Sequence, residues 1–337
     1  MTELPSPPAI REVAGVDFAR FHEEIRPANE PVVMRGLVTG WPAVAAARTS
    51  DQAIVDYLIG CEPRKAIGAI AARPEEDGRF FYNDDLTGFN FIQGGGALED
   101  FLRDLLRAAD HARPPAMALQ SEIVADVIPT FGEANRLALL PDVGPRIWIG
   151  NRVRVAPHWD LMENVGCVVA GRRRFTLFPP DQVANLYPGP FELTPAGTPV
   201  SMVDPRSPDL ERYPRFVDAW VTASQAELAP GDALYIPYMW WHGVESLDPV
   251  SILVNYWWND VPQGIARPYG AMLHAILAFR HLPADKRAAW RTMLDHYIFE
   301  ADGDPAAHLP EHAKGMMGPP TPELFAQLRA TLRDIVG

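Results

Sequence analysis

The sequence predicts a mainly β fold, a barrel or sandwich, with helical additions. From about residue 116 to 258, short apolar or alternating runs replace helical periodicity. Turn signals separate those runs, among them Gly171, Pro179-Pro180 and Pro230-Gly231-Asp232. Proline supplies 34 of the 337 residues, about twice the ordinary share, which suits many short strands better than long helices.

Taken in order, residues 1–115 read as an α/β extension. Asp17 to Ile25 has apolar residues at helical spacing, Pro27 ends it, and Pro31 to Arg35 is an apolar run expected to be a strand. Residues 97–109 (ALEDFLRDLLRAA) set Leu98, Phe101, Leu102, Leu105 and Leu106 on one helical face. A β core is expected over 116–260, with strands at 116–120, 146–150, 152–157, 165–170, 173–178, 233–237 and 250–258. The Pro/Gly-rich stretch 186–214 is too long for an ordinary connection and is expected as an insertion over the mouth of a site. Residues 261–337 turn helical, with stripes at Ile265, Tyr269, Met272, Leu273 and Ile276, then Trp290, Met293, Leu294, Tyr297 and Ile298. A last helix is expected with Thr321 as N-cap and Pro322 in its first turn, burying Phe325, Leu328, Leu332 and Ile335. These stripes suit either a cap on the core or a homodimer contact.

Composition narrows the function. With 47% apolar and 22% charged residues the chain can build a core, so global disorder is excluded. A net charge of −13 disfavours a nucleic-acid partner, which usually needs a basic face. Cys61 and Cys167 are too few for a disulfide framework or a four-cysteine zinc site and fit a reducing cytoplasm. The N-terminus lacks the pattern of a signal peptide, and no run of 18 apolar residues suggests a membrane span, so a soluble, cytoplasmic protein is expected.

Chemistry concentrates in two stretches. Pro157-His158-Trp159-Asp160 ends a strand-like run, and in extended chain residues two apart share a face, so His158 and Asp160 can approach one ion. Roughly 0.6 such His-x-Asp triplets are expected by chance in a chain of this composition, so the motif alone is weak. Further on, Gly231-Asp232-Ala-Leu-Tyr-Ile-Pro-Tyr-Met-Trp-Trp-His242 places a histidine after an apolar strand. Two histidines and a carboxylate on adjacent strands make the facial triad of non-haem Fe(II) oxygenases, with coordination positions left open. The bland alternative is a core histidine at 242 and a turn aspartate at 160.

Several segments in one order make a more specific signal: HWDLMEN at 158–164, AGRRRFTLFPPDQ at 170–182, NLYPGP at 185–190, GDALYIPYMWWH at 231–242 and VNYW at 254–257. Through them the chain resembles the JmjC/cupin-like 2-oxoglutarate- and Fe(II)-dependent oxygenases, especially their asparaginyl hydroxylases. The resemblance implies a double-stranded β-helix of jelly-roll type, Fe(II) held by His158, Asp160 and His242, and a co-substrate pocket lined by Asn164 and Asn255. By the same match Arg173 grips the distal carboxylate of 2-oxoglutarate, and O2 is the second co-substrate. Strand parity agrees, since Arg173, Phe175 and Leu177 share a face on which a lone charge needs an anionic partner. Surface salt bridges for all three arginines at 172–174, or a protein carboxylate beside Arg173, are the alternatives. The chain departs from the pattern at Val155 and Ala118, where hydroxyl-bearing residues are usual, and at Arg173 itself, where lysine is usual.

The resemblance thus implies a dioxygenase that hydroxylates a C–H bond, in a protein or peptide side chain. A small-molecule hydroxylase and a non-catalytic metal-binding scaffold are the alternatives. Of the aromatic residues around the motifs, most are expected in the core, with one or two near His242 in the substrate channel.

Overall fold

The computed structural model describes residues 4–260 and 267–336, with the side chains of 334–336 outside the description. Two compact units divide the chain, Met1–Asn259 and Asp260–Gly337. The first holds fourteen described strands: β1 (Arg11–Ala14), β2 (Val32–Arg35), β3 (Ile67–Ala72), β4 (Arg79–Phe80), β5 (Phe91–Gly96), β6 (Ala116–Ile123) and β7 (Pro145–Gly150) precede the site motifs. Then come β8 (Arg154–His158), β9 (Glu163–Ala170), β10 (Arg173–Phe178), β11 (Ser224–Leu228), β12 (Ala233–Ile236), β13 (Trp241–Ser246) and β14 (Ser251–Trp258).

They form two sheets. The larger runs β1-β2-β12-β9-β14-β7-β6-β3-β5 and the smaller β11-β10-β13-β8-β4. Only β1–β2 and β4–β8 pair in parallel among the described strands. This is the β sandwich of jelly-roll type with helical additions that the sequence predicts.

Strand parity places the core and the site together. On the larger sheet Val165, Cys167, Val169, Ile252, Val254, Tyr256, Ala233 and Tyr235 join the cluster shared with the N-terminal helices. The alternate residues, Val168, Leu253, Leu234 and Ile236, meet Phe175, Leu177 and Leu228 of the smaller sheet. Asn164 and Asn255 fall in this second parity class, so the inner face that is apolar at one end turns polar at the other.

The amphipathic helix forms over Leu98–Ala109, with Leu98, Phe101, Leu102 and Leu105 buried and Leu106 half-buried against the core. At 17–25 the chain makes a helical turn at Phe18–Arg20, capped by Asp17, and then a π-helical turn at Phe21–Ile25. The wider turn buries Phe21 and Ile25 completely. Strands β1, β3, β4, β5, β11 and β13 lie outside the expected runs: FIQGGG, SQAEL and WHGVES lack an apolar run, and pairing with neighbours overrides their weak local preference, while the apolar IGAIAA of β3 is a run that the expected set omits. The run expected at 152–157 pairs only from Arg154.

Gly171 turns β9 into β10 at a φ of +65°, and a Cβ there would strike the Val250 carbonyl oxygen. Asp248 closes the same turn by accepting from the Arg172 backbone N–H at 2.7 Å.

The second unit is helical over Pro268–Phe279, Ala284–Tyr297 and Pro322–Val336. Thr321 Oγ1 accepts from the Leu324 N–H at 3.2 Å, as an N-cap does. Its stripe is less covered than expected, with Phe325 and Leu328 half-buried and Leu332 half exposed. The side chain of Ile335, and all of Ile265, lie outside the described residues.

Candidate metal centre

His158 ends β8 and His242 lies near the start of β13, directly opposite it in the ladder. Between that pair and the next, Val155 opposite Val244, β8 carries one residue more than β13. The bulge lets Val155 and His158, an odd number of positions apart, both face the cleft between the sheets. Asp160 follows in the turn after β8, where its carbonyl accepts from the Met239 N–H at 3.3 Å.

One candidate ligand atom from each of His158, Asp160 and His242 lies within 4.8 Å of the others, the only such group among the described residues. Each imidazole is aimed by its own backbone. His158 Nδ1 donates to Ala156 O and His242 Nδ1 to Trp240 O, both at 3.0 Å. A carbonyl only accepts, so each Nδ1 carries the proton and each Nε2 keeps a lone pair. Asp160 Oδ2 is buried without a hydrogen bond, 3.5 Å from His242 Nε2. A buried, unsatisfied carboxylate oxygen beside two free imidazole lone pairs is the donor set of a divalent metal, and the triad fits Fe(II).

The charges agree. Burial, helped by the neighbouring His242, pulls His158 down to about 4, so it is neutral and able to ligate. Burial alone would raise the Asp160 carboxyl, but the two imidazoles beside it, His242 foremost, hold it below the ordinary range. Burial would lower His242, yet Asp160 outweighs it and raises the ring.

A cleft of about 330 Å³ opens on the triad. Asn164, Arg173 and Asn255 all line it, so each of the six residues singled out in the sequence comes to this one place. Arg173 is 7% exposed, donates from Nε to Ser251 Oγ at 3.0 Å, and has no carboxylate beside it among the described residues. Burial lowers its guanidinium to about 9, still charged at neutral pH. The neighbouring arginines point away: Arg172 pairs with Asp248 and Glu227, Arg174 with Glu227 and Glu245. Arg154 pairs with Asp77 and Asp204, and Arg152 donates to Leu247 O. Of the arginines at 152, 154 and 172–174, Arg173 is therefore the one that lines the cleft.

Val155 lines the cleft, and Ala118 is buried on β6. Sequence reasoning missed Ser251, Gln120 and Ser121, the last two lining residues at a bulge where Ser121 has a φ of +57°. The aromatic walls are Trp148, Phe175 and Trp257, supplied by β7, β10 and β14, while Trp240 and Trp241, close to His242 in sequence, are not among the lining residues. From the 186–214 insertion, Pro195 and Ala196 reach the cleft. The insertion is tied to the metal motif by Ser201 N–H to Pro157 O at 2.7 Å and Thr198 Oγ1 to Trp159 O at 2.6 Å. A larger cleft of about 550 Å³, lined by Arg73, Glu76, Tyr82 and Phe89, contains none of the triad.

The family model of the cupin-like domain matches residues 18–264. The chain is 34% identical over 276 residues to lysine-specific demethylase JMJ31 of Arabidopsis thaliana, covering 72% of this chain and 48% of that protein. It is 39% identical over 118 residues to HSPB1-associated protein 1 of Rattus norvegicus, 33% of this chain and 23% of that one. To the tRNA wybutosine-synthesizing protein 5 of Gallus gallus it is 27% identical, with 74% and 76% covered. The chain thus spans less than half the length of the first two of these relatives. A sandwich with the triad at its mouth and a family match over most of the sequence lead to one conclusion: this chain belongs to the cupin-like, JmjC-type domain family.

Proposed function

We propose that the protein is an Fe(II)- and 2-oxoglutarate-dependent dioxygenase that hydroxylates a C–H bond of a protein or peptide side chain. The observation that carries this reading is Arg173, a buried guanidinium without a carboxylate partner among the described residues, in the cleft that holds the triad. A lone buried cation calls for an anion, and a guanidinium binds a carboxylate through two parallel hydrogen bonds. Iron on the triad supplies the oxidative chemistry, in which O2 and the oxoacid are consumed and the C–H bond is hydroxylated. The chain's own residues do the rest. Arg173 holds the distal carboxylate, Asn164 and Asn255 flank the oxoacid, and Trp148, Trp257, Phe175 and Ile236 exclude water. Pro195 and Ala196 bring the insertion to the entrance, where an extended side chain would enter.

Demethylation is the second reading, favoured by the activity that names the Arabidopsis relative. It shares the first chemical event, since a hydroxylated N-methyl carbon leaves as formaldehyde. The net charge of −13 supports a protein or peptide over a nucleic-acid substrate. Succinate release by the purified chain with Fe(II), 2-oxoglutarate and O2 tests the oxygenase reading, and no binding of 2-oxoglutarate by the Mn(II) form would overturn it. Mass spectrometry of peptide products separates retained oxygen (+16 Da) from a lost methyl group with formaldehyde, and a metabolite product would shift the substrate to a small molecule.

A homodimer through the second unit belongs to the same proposal. Leu277, Met293, Ile298 and Phe299 there are exposed apolar side chains that association would cover. No described helix is long and apolar enough to cross a membrane.

A further inference from the structure

Trp148 lies on β7, outside the triad, and its indole starts a run of three hydrogen-bonded side chains. Trp148 Nε1 donates to Asn255 Oδ1 at 2.8 Å, and Asn255 Nδ2 donates to Asn164 Oδ1 at 3.2 Å. An indole N–H can only donate, so the Asn255 amide must turn its oxygen to Trp148. Its nitrogen then faces Asn164, whose oxygen turns to meet it. Asn164 Nδ2 is the group left over, with no protein acceptor among the described residues, on a side chain that lines the cleft.

Without the indole the two amides have two self-consistent arrangements. In one, Asn164 offers its N–H to the cleft; in the other, both amides are reversed and Asn164 offers its carbonyl. With Trp148 present the reversed arrangement would set two donors head to head and leave a partly buried N–H unpaired, which is costly. A ligand carboxylate is attracted by the first arrangement and repelled by the second.

We propose that Trp148 is a positioning residue that sets the polarity of the Asn255–Asn164 amide pair, so that the cleft presents an N–H donor to a carboxylate of the bound oxoacid. The inference rests on the reading of this cleft as the 2-oxoglutarate site. Trp148 also meets Trp257 edge to face, with ring centroids 5.7 Å apart, a contact that phenylalanine can largely keep. The N–H and the packing are therefore separable.

The experiment is calorimetric titration of 2-oxoglutarate into the Mn(II)-loaded full chain. Trp148→Phe should weaken binding about twofold, because the ligand must then select one of two comparable amide arrangements, while Mn(II) affinity stays unchanged. In an Asn164→Ala background the same substitution should leave affinity unchanged, because the indole acts only through that amide. Asn255→Leu, similar in shape, removes the middle link and should lose at least as much if the tryptophan variant folds poorly. Unchanged affinity in Trp148→Phe, or the same loss persisting without Asn164, overturns the proposal; the latter would mean that Trp148 acts by packing. Wild-type chain that does not bind 2-oxoglutarate would instead overturn the reading of the cleft.

Discussion

Arg173 and Ser251 join the two sheets through a buried hydrogen bond, Nε to Oγ at 3.0 Å. The bond uses the inner edge of the guanidinium and holds its plane, leaving the Nη groups without a carboxylate among the described residues.

Arg173→Leu should therefore raise the apparent KM for 2-oxoglutarate by roughly 10–100-fold, the value of a lost charge-assisted pair. Ser251→Ala should raise it by about fivefold, the cost of freeing the guanidinium to turn, with its charge still present. Metal affinity should hold in both. Steady-state kinetics against 2-oxoglutarate check this, and an unchanged constant in Arg173→Leu would place the carboxylate anchor elsewhere.

Asp160→Ala removes a carboxylate of which one oxygen, Oδ2, is buried without a hydrogen bond 3.5 Å from His242 Nε2. The metal-free variant should still fold, melting somewhat below the wild type at pH 7, since the lowered Asp160 carboxyl favours the folded state. Mn(II) at a hundredfold over its Kd should stabilise the wild type by about 2.7 kcal/mol and the variant hardly at all. Thermal melts with and without Mn(II) decide it; an equal rise in both would mean the metal sits at another place.

Asp248 holds the turn at Gly171 by accepting from Arg172 N, Nε and Nη2. Those bonds with Arg172 hold its carboxyl below the ordinary value near 3.8. A depressed carboxyl stabilises the fold above its unfolded value and loses that contribution as pH falls through the folded one. Asp248→Asn should thus lower the melting temperature at pH 7 by about 1–2 °C, for roughly 1 kcal/mol in a chain this long. The difference should shrink below pH 4. Calorimetry across pH tests it, and an offset independent of pH would show that the charge is irrelevant.

Leu277 and Met293 are 77% and 47% exposed on neighbouring helices of the second unit. If that face joins two copies, Leu277→Glu with Met293→Glu should give a monomer in light scattering, with 2-oxoglutarate affinity of the Mn(II) form unaltered. A wild-type chain already monomeric at tens of micromolar would remove the dimer from the proposal.

Much of the site is legible in the sequence. His158 and Asp160 share a face because extended chain alternates, and Arg173 reads as inward because its i+2 neighbours are apolar. The amphipathic helix at Leu98–Ala109 and most strands of the β core follow from periodicity in the same way. Ser251 and Trp148 could not be found so. Each acts on a residue about eighty or more positions away, Arg173 and Asn255, and no local pattern records a bond between strands of such separation.

The amino-acid sequence by itself pointed to the fold class, the candidate metal ligands and the one inward arginine, because residue period and the resemblance of several ordered motifs bear on all three. Only the tertiary structure decided which arginines are neutralised, which aromatic residues wall the cleft and which way the Asn164 amide points. Those outcomes depend on register between distant strands, where a bulge of one residue in β8 turns Val155 and His158 to the same side.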